Sequence, residues 1–128
     1  MAEPLWRPDS SRIKSANMTA FMHWLEKEYE VSLSSYSQLH QFSVSRQEDF
    51  WAAVWQFCDV IAETRGDRVL VDGESMLGAQ FFPDAKLNFA ENLLRRRDDR
   101  EALVFRAEDQ IERRLSWRKL YEEVSRIA

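Results

Sequence analysis

Apolar side chains recur at helical spacing through the first half of the chain, and this pattern constrains the fold more than any other feature. One set shares a single helical face: Met18, Phe21, Met22, Leu25 and Tyr29. The run Ser35 to Gln38 has the capping-box pattern and introduces a second helix with Leu39 and Phe42 as apolar positions. Residues 1 to 8 contain two prolines and are predicted to form an extended arm.

A third helix is predicted from Phe50 to about Glu63, and it has the broadest apolar face. A second capping box, Ser45-Arg46-Gln47-Glu48, precedes it. Its stripe consists of Phe50, Val54, Phe57, Cys58 and Ile61, with Trp51 and Trp55 at the edge. So wide a stripe is typical of a helix packed on more than one side, and we expect this one to meet a surface beyond the chain.

The second half of the chain predicts short strands. Arg68 to Val71 is a β-branched strand candidate that ends at the Asp72-Gly73 turn. Ala102 to Phe105 and Ile111 to Leu115 are predicted to form a hairpin around the polar turn at residues 108 to 110.

Two further helices complete the predicted fold. Asn88 can cap a short helix that continues to Leu94, and arginines 95 to 97 follow at its carbonyl end, where cations are favourable. Ser116 can cap a final helix with Trp117, Leu120, Val124 and Ile127 on one face. The predicted fold class is α+β and helix-rich: N-terminal helices followed by short strands, a β-hairpin and a final helix.

Composition excludes several functional classes. The three glycines are not spaced as a phosphate-binding loop, so G-x-G-x-x-G and the P-loop are absent. A single cysteine, Cys58, excludes an intrachain disulfide and a Cys-rich zinc site, and it fits a reducing compartment. The net charge is −4, the start of the chain is unlike a signal peptide, and no apolar run is long enough for a membrane span. We therefore expect a soluble cytoplasmic protein with no nucleic-acid or membrane partner.

The arginine run 95–97 with Arg100 is the most conspicuous candidate for binding a phosphate. Residues 95–114 contain seven arginines and six acidic residues, so the local charge is nearly balanced. Sites that bind polyanions carry uncompensated positive charge, so we expect a solvated helix end with local ion pairs. A contact with a coenzyme phosphate is the alternative.

The other reactive side chains have structural interpretations. His23 and His40 are expected to be packed or surface residues, because neither has a cysteine or carboxylate at ligand spacing. Cys58 is expected to be a small buried hydrophobe, and Trp51 and Trp55 are expected to belong to the core or to an interface. The sequence therefore identifies no catalytic, cofactor-binding or metal-ligating residue in this chain.

Several stretches together resemble the opening of acetoacetyl-CoA synthetases, which belong to the acetyl-CoA synthetase-like adenylate-forming ligase superfamily. The stretches are Leu5-Trp6-Arg7-Pro8, Asn17-Met18-Thr19, Asp49-Phe50-Trp51 and the run from Phe81 to Leu94. Asp84, Ala85 and Leu93 stand where acetyl-CoA synthetases usually carry two glycines and a cysteine, which favours the acetoacetate subfamily. The hairpin and final helix resemble the start of the adenylation domain.

The resemblance implies a ligase that makes acetoacetyl-CoA from acetoacetate, ATP and CoA through an acyl-adenylate. It implies ATP, Mg²⁺ and coenzyme A as cofactors of the parent enzyme, and none in this chain, because the phosphate-gripping loop and the late lysine of the family lie downstream. The chain alone is accordingly predicted to be inactive. Its expected partner is the remainder of the ligase, and exposed apolar surface on a truncated segment would favour self-association.

The resemblance also implies two regions: residues 1–94 as the N-terminal helical region, and residues 95–128 as the first hairpin and helix of a truncated adenylation domain. Acyl preference stays open, because the substrate pocket is expected downstream. Two alternatives also stay open. The chain could be a free-standing helical interaction or regulatory module that binds through Trp51 and Trp55, or the N-terminal segment of an acetyl- or propionyl-CoA synthetase.

Overall fold

The computed structural model describes residues 5–108 and 112–127, and the chain divides into two compact units. The helical unit contains the residues up to Val60 together with Gly66–Asp84. The hairpin unit contains Ile61–Arg65 together with the residues from Ala85 onward. The polar turn at 109–110 and the strand residue Ile111 lie outside the described residues.

The helical unit contains four helices and a short antiparallel strand pair. The helices are α1 (Ser10–Lys14), α2 (Asn17–Tyr29), α3 (Tyr36–Ser45) and α4 (Gln47–Phe57), and the strands are β1 (Leu70–Val71) and β2 (Gln80–Phe81). Leu70 pairs with Phe81 and Val71 with Gln80. Residues 6–9 have no regular secondary structure, as predicted for the arm.

The hairpin unit contains two helices and a longer strand pair. These elements are α5 (Phe89–Leu93), β3 (Glu101–Arg106), β4 (Glu112–Ser116) and α6 (Trp117–Ile127). β3 and β4 are antiparallel, with Leu103 opposite Leu115 and Phe105 opposite Arg113. The helix-rich α+β fold class is therefore as predicted, whereas α1 and β2 are additional elements that the sequence patterns do not predict.

A core at the contact of α2, α3 and α4 holds the helical unit together. Its buried members are Phe21, Leu25, Leu33, Leu39, Phe42 and Ala53. The Phe21 ring lies 5.0 Å from that of Phe57 and 5.9 Å from that of Phe50, centroid to centroid. The stripe predicted on α2 is thus the face that is buried, and Leu25 at its centre is inaccessible to solvent.

The two predicted capping boxes have different outcomes. Ser35 does cap α3: its hydroxyl accepts a hydrogen bond from the backbone N–H of Gln38 at 3.3 Å. Ser45 caps nothing, because it is the last residue of α3 and its hydroxyl donates to the carbonyl of Gln41 at 2.8 Å. Arg46 alone separates α3 from α4, so the prediction of a cap at Ser45 is wrong.

The predicted end of α4 is also wrong. The helix ends at Phe57 rather than near Glu63, because Asp59 adopts a left-handed backbone with φ of 50°. Cys58 is the C-cap residue and is exposed. It is therefore not the small buried hydrophobe that the helical stripe predicted.

Candidate functional site

The aromatic edge of α4 is covered by the pair Phe81-Phe82 from the same unit. The Trp51 ring meets the Phe81 ring edge-on at 5.1 Å, and the Trp55 ring lies 4.5 Å from that of Phe82. Aromatic pairs prefer such edge-to-face and tilted arrangements. This edge of α4 therefore packs against Phe81 and Phe82 of the same unit, but Trp51 stays 37% exposed, and the expected contact with a surface beyond the chain stays a prediction.

Asp84 fixes the chain just after this aromatic pair. Its carboxylate accepts two hydrogen bonds from the Arg68 guanidinium, one of them from Nε at 2.8 Å. The same hydrogen bonds hold the pKa of Asp84 below its ordinary value. Asp84 also lies directly against Gly66. A glycine is needed at position 66 because its φ is +76° and because a Cβ there would collide with Asp84. This bidentate pair is part of the scaffold.

Two asparagines organise α5 in the hairpin unit. Asn88 caps the helix as predicted, since its Oδ1 accepts from the N–H groups of Ala90 at 2.9 Å and Glu91 at 3.3 Å. Asn92 makes two hydrogen bonds to the backbone of Ile61. Its Oδ1 accepts from the Ile61 N–H and its Nδ2 donates to the Ile61 carbonyl, both at 2.8 Å. The Asn92 amide thus acts like a neighbouring strand and ties residues 61–65 to α5.

The positive charge of the arginine run is partly neutralised by Asp98 and Asp99, which follow it directly in the chain. Asp98 accepts from Arg100 Nε at 2.7 Å and lies 3.8 Å from Arg96 Nε. The bond from Arg100 lowers the pKa of Asp98. Arg95 donates from Nε to the carbonyl of Asn92 at 3.1 Å, so it satisfies one of the last carbonyls of α5. The predicted local ion pairs are present.

The loop that carries these charges also closes the start of α6. The backbone carbonyls of Arg100 and Asp98 accept from the N–H groups of Trp117 and Arg118 at 3.1 and 3.0 Å. Asp99 pairs with Arg118 Nε at 2.8 Å, and that bond lowers the pKa of Asp99. The first two N–H groups of α6, which have no partner inside a helix, are satisfied by this loop, and the third, of Lys119, donates to the hydroxyl of Ser116 at 3.3 Å, as predicted for the cap.

Arg97 completes the connection between the loop and α6. Its guanidinium lies 3.9 Å from the centre of the Tyr121 ring, within the range of a cation–π contact. The arginines of the run are therefore engaged in fixing the loop to α5 and α6. The geometry favours the structural interpretation over a phosphate site.

The remaining candidates are surface residues. His23 and His40 are exposed on α2 and α3, which agrees with the prediction of packed or surface histidines. Within residues 5–108 and 112–127, no group of three or more His, Cys, Asp or Glu side chains could hold a metal ion. No helix in the described part of the chain is long and apolar enough to cross a membrane.

Known proteins share both this sequence and this geometry. The family described as "Acetyl-coenzyme A synthetase N-terminus" matches residues 36–93. An acetoacetyl-coenzyme A synthetase from Rhizobium meliloti (strain 1021) is 46% identical over 124 residues, which cover 97% of this chain and 19% of that protein. A solved acetoacetyl-CoA synthetase from Streptomyces lividans matches with a TM-score of 0.82 and 38% identity, covering 96% of this chain and 20% of that one.

The chain corresponds to the N-terminal region of acetoacetyl-CoA synthetases. The resemblance predicted from the sequence is confirmed. A malonamoyl-CoA synthetase from Penicillium aethiopicum is also similar, at 38% identity over 72% of this chain and 13% of that protein. The chain spans about a fifth of the length of the synthetases to which it is most fully aligned.

Several contacts in this segment are not indicated by the sequence. The Arg68–Asp84 pair spans 16 positions and the Asn92–Ile61 pair spans 31. No local pattern links such positions. The run from Phe81 to Leu94 contains one member of each pair, Asp84 and Asn92, and both make their contacts within their own unit.

Proposed function

We propose that the chain is the N-terminal scaffolding segment of an acetoacetate–CoA ligase. The observation that carries the proposal is the 46% identity to the Rhizobium meliloti synthetase along 97% of the chain. The fold supports it, because the Streptomyces lividans synthetase contains the same arrangement over 96% of the chain. The ligase would make acetoacetyl-CoA from acetoacetate, ATP and CoA, with Mg²⁺, through an acyl-adenylate.

The role of this segment in that reaction is structural. Phe81, Asp84, Asn88 and Asn92 all engage groups of their own unit. Adenylate formation needs positioned cations at the developing phosphate charge. The candidate arginines have partners in this unit instead: Arg100 donates to Asp98, and Arg97 lies over the ring of Tyr121 in α6. We therefore assign no residue of this chain to ATP, Mg²⁺ or coenzyme A.

We further propose that residues 1–94 form the N-terminal helical region and that residues 95–128 begin the adenylation domain. The remainder of the ligase is then the partner of this segment, and the reaction takes place in the cytoplasm, as the composition and the single cysteine favour. The free-standing interaction module is less favoured, because Trp51 and Trp55 pack against Phe81 and Phe82.

Isotope exchange between pyrophosphate and ATP tests the proposal. The purified 128-residue chain should give no acetoacetate-dependent exchange above a blank without protein. Exchange that depends on both the chain and acetoacetate would contradict a purely scaffolding role. Malonamate is the informative second acid, because one relative is a malonamoyl-CoA synthetase. Exchange with malonamate alone, in the full-length ligase, would redirect the substrate assignment.

A further inference from the structure

The segment Gly66–Asp84 belongs to the helical unit but adds nothing to its buried core. It contains β1, β2 and the turn between them, and none of its residues, all of which the structure describes, is buried. The buried core residues of the unit lie in or between α2, α3 and α4. Segments with few buried apolar contacts open at a lower free energy than the core of the same unit. This segment, called the strap below, is therefore weakly anchored.

The contact between the strap and α4 is narrow. It consists of the ring contact of Phe81 with Trp51 and that of Phe82 with Trp55. Phe81 nevertheless remains 48% exposed. Inside the strap, β1 and β2 form only two residue pairs, and a two-stranded sheet is marginal by itself. The structure of the strap therefore depends on its contact with α4.

Phe82 makes its contact with α4 in an unfavourable backbone conformation. Its φ of 47° is in the left-handed region, which bulky residues rarely occupy, and the residue before a proline is normally extended. Side chains of neighbouring residues in an extended strand point to opposite faces, so the left-handed Phe82 allows two successive rings to contact the same helix. In this conformation the Phe82 N–H donates to the Val69 carbonyl at 2.9 Å. Release of the strap would relieve the backbone strain.

A groove with acidic walls separates the turn of the strap from the junction of α3 and α4. Its volume is about 570 Å³, and it is lined by residues 44–49 on the helices and by residues 70 and 72–74 on the strap. The acidic lining residues are Glu48 and Asp49 on α4 and Asp72 and Glu74 on the strap. Arg46, which pairs with Asp49 at 2.7 Å, is the one cation among the described residues that line the groove. Like charges on both walls repel each other and disfavour the closed strap.

We propose that the strap is a conformational switch, which opens from α4 as one piece while the core of α2, α3 and α4 stays folded. The two ring contacts stabilise the closed state, and the strain at Phe82 and the acidic groove oppose it. Arg68 and Asp84 join the two ends of the strap, so that its parts open together. Opening exposes the rings of Trp51 and Trp55. The aromatic edge of α4 therefore has a packed state and an exposed state.

Hydrogen–deuterium exchange on the 128-residue chain tests the opening. The amides of Ala79 and Phe82 donate hydrogen bonds within the strap and should share one protection factor, within about threefold. An open population of about 0.1–10% sets that factor at about 10–1,000. The Leu25 amide in the core should be at least about tenfold better protected. Protection at Phe82 equal to that at Leu25, no protection at Phe82, or unrelated values at Ala79 and Phe82 would each overturn the proposal.

A matched pair of variants tests the ring contact. Trp55→Leu should lower the protection of the Phe82 amide at least about fivefold, because it removes an aromatic pair that holds the strap closed. The Leu25 amide should keep its protection, which shows that the core is still folded. Trp6→Leu makes the same change at a ring that is 67% exposed and should leave the Phe82 amide within about twofold of its original value. Equal losses at Phe82 and Leu25 in the Trp55 variant would mean that the strap does not open separately.

A second pair of variants tests the groove. Glu74→Gln should raise the protection of the Phe82 amide about two- to threefold at low salt, because it removes one of the repelling charges. Asp67→Asn removes the same charge from a strap position that does not line the groove, and it should have a smaller effect. No rise with Glu74→Gln, or an equal rise in both variants, contradicts the opposition assigned to the groove.

Discussion

The helical unit and the hairpin unit are stabilised by different physical means. Six of the seven buried apolar residues in the described part of the chain belong to the helical unit: Phe21, Leu25, Leu33, Leu39, Phe42 and Ala53. Only Leu94 belongs to the hairpin unit. The hairpin unit has exposed ion pairs instead, around Asp98, Asp99 and Arg114.

This difference shows which unit can be stable by itself. Burial of apolar area is the main favourable contribution to folding, whereas exposed ion pairs contribute little. The helical unit therefore carries its own core, whereas the hairpin unit buries little apolar surface and leaves Leu103 and Phe105 about half exposed.

The largest expected effect is at the centre of the helical core. Leu25→Ala should lower the free energy of unfolding by about 2–5 kcal/mol, because Leu25 is completely buried and its truncation leaves a cavity. Urea denaturation followed by tryptophan fluorescence measures the loss. Met18→Ala, on the same helix but 48% exposed, is the control and should cost under about 1 kcal/mol. Equal losses at the two positions would mean that the core is not where the stability resides.

The next effect tests the hairpin unit through the Asn92 amide. Asn92→Asp should cost about 1–3 kcal/mol locally, because it replaces the donor to the Ile61 carbonyl with a carboxylate oxygen. Faster exchange of the Ile61 amide is the readout. Asn88→Asp is the matched control: aspartate is an equally good N-cap, so α5 should be nearly unaffected. A larger effect at residue 88 than at residue 92 would refute the assigned roles.

A pH titration distinguishes the two units further. Arg100 and Arg118 lower the pKa values of Asp98 and Asp99 in the folded chain. Their stabilising effect is therefore complete above the ordinary carboxyl pKa and is lost as pH falls below about 4, through the lowered values. The protection factors of the Trp117 and Arg118 amides, which compare their exchange with that of the unstructured chain at the same pH, should fall over that range. An Asp98→Asn, Asp99→Asn double variant should show a flatter dependence, and an unchanged profile would contradict the proposed coupling.

The smallest expected effect is at Cys58. Because this thiol is exposed at the end of α4, Cys58→Ser should change the free energy of unfolding by less than about 0.5 kcal/mol. Thermal unfolding monitored by circular dichroism is sufficient to measure it. A loss of several kcal/mol would instead restore the buried position that the helical stripe predicted.

Features that depend on local spacing could be predicted from the sequence. The buried face of α2, the caps at Ser35 and Asn88 and the β3–β4 hairpin all depend on residues close together in the chain. The local pattern gives a wrong prediction at Ser45. A serine followed three residues later by Glu fits a helix N-cap, but the pattern does not show that the preceding helix α3 still includes Ser45. It failed at the end of α4 because no glycine or proline marks the left-handed Asp59.

Features that depend on distant residues could not be predicted. Trp51 and Trp55 at the edge of α4 pack against Phe81 and Phe82, which lie more than 25 positions later in the chain. The Asn92–Ile61 pair is equally non-local. The family resemblance of the run from Phe81 to Leu94 implies a scaffolding role for the segment, but it does not indicate which contacts these residues make.

The most direct test of the scaffolding role is the activity of a full-length chimera in which this chain replaces the matching N-terminal region of the Rhizobium meliloti synthetase. Acetoacetate-dependent ATP–pyrophosphate exchange should be retained in the chimera and absent from the 128-residue chain alone. Retention would show that the segment supports a catalytic apparatus located elsewhere. A folded chimera without exchange, or exchange by the chain alone, would contradict that role.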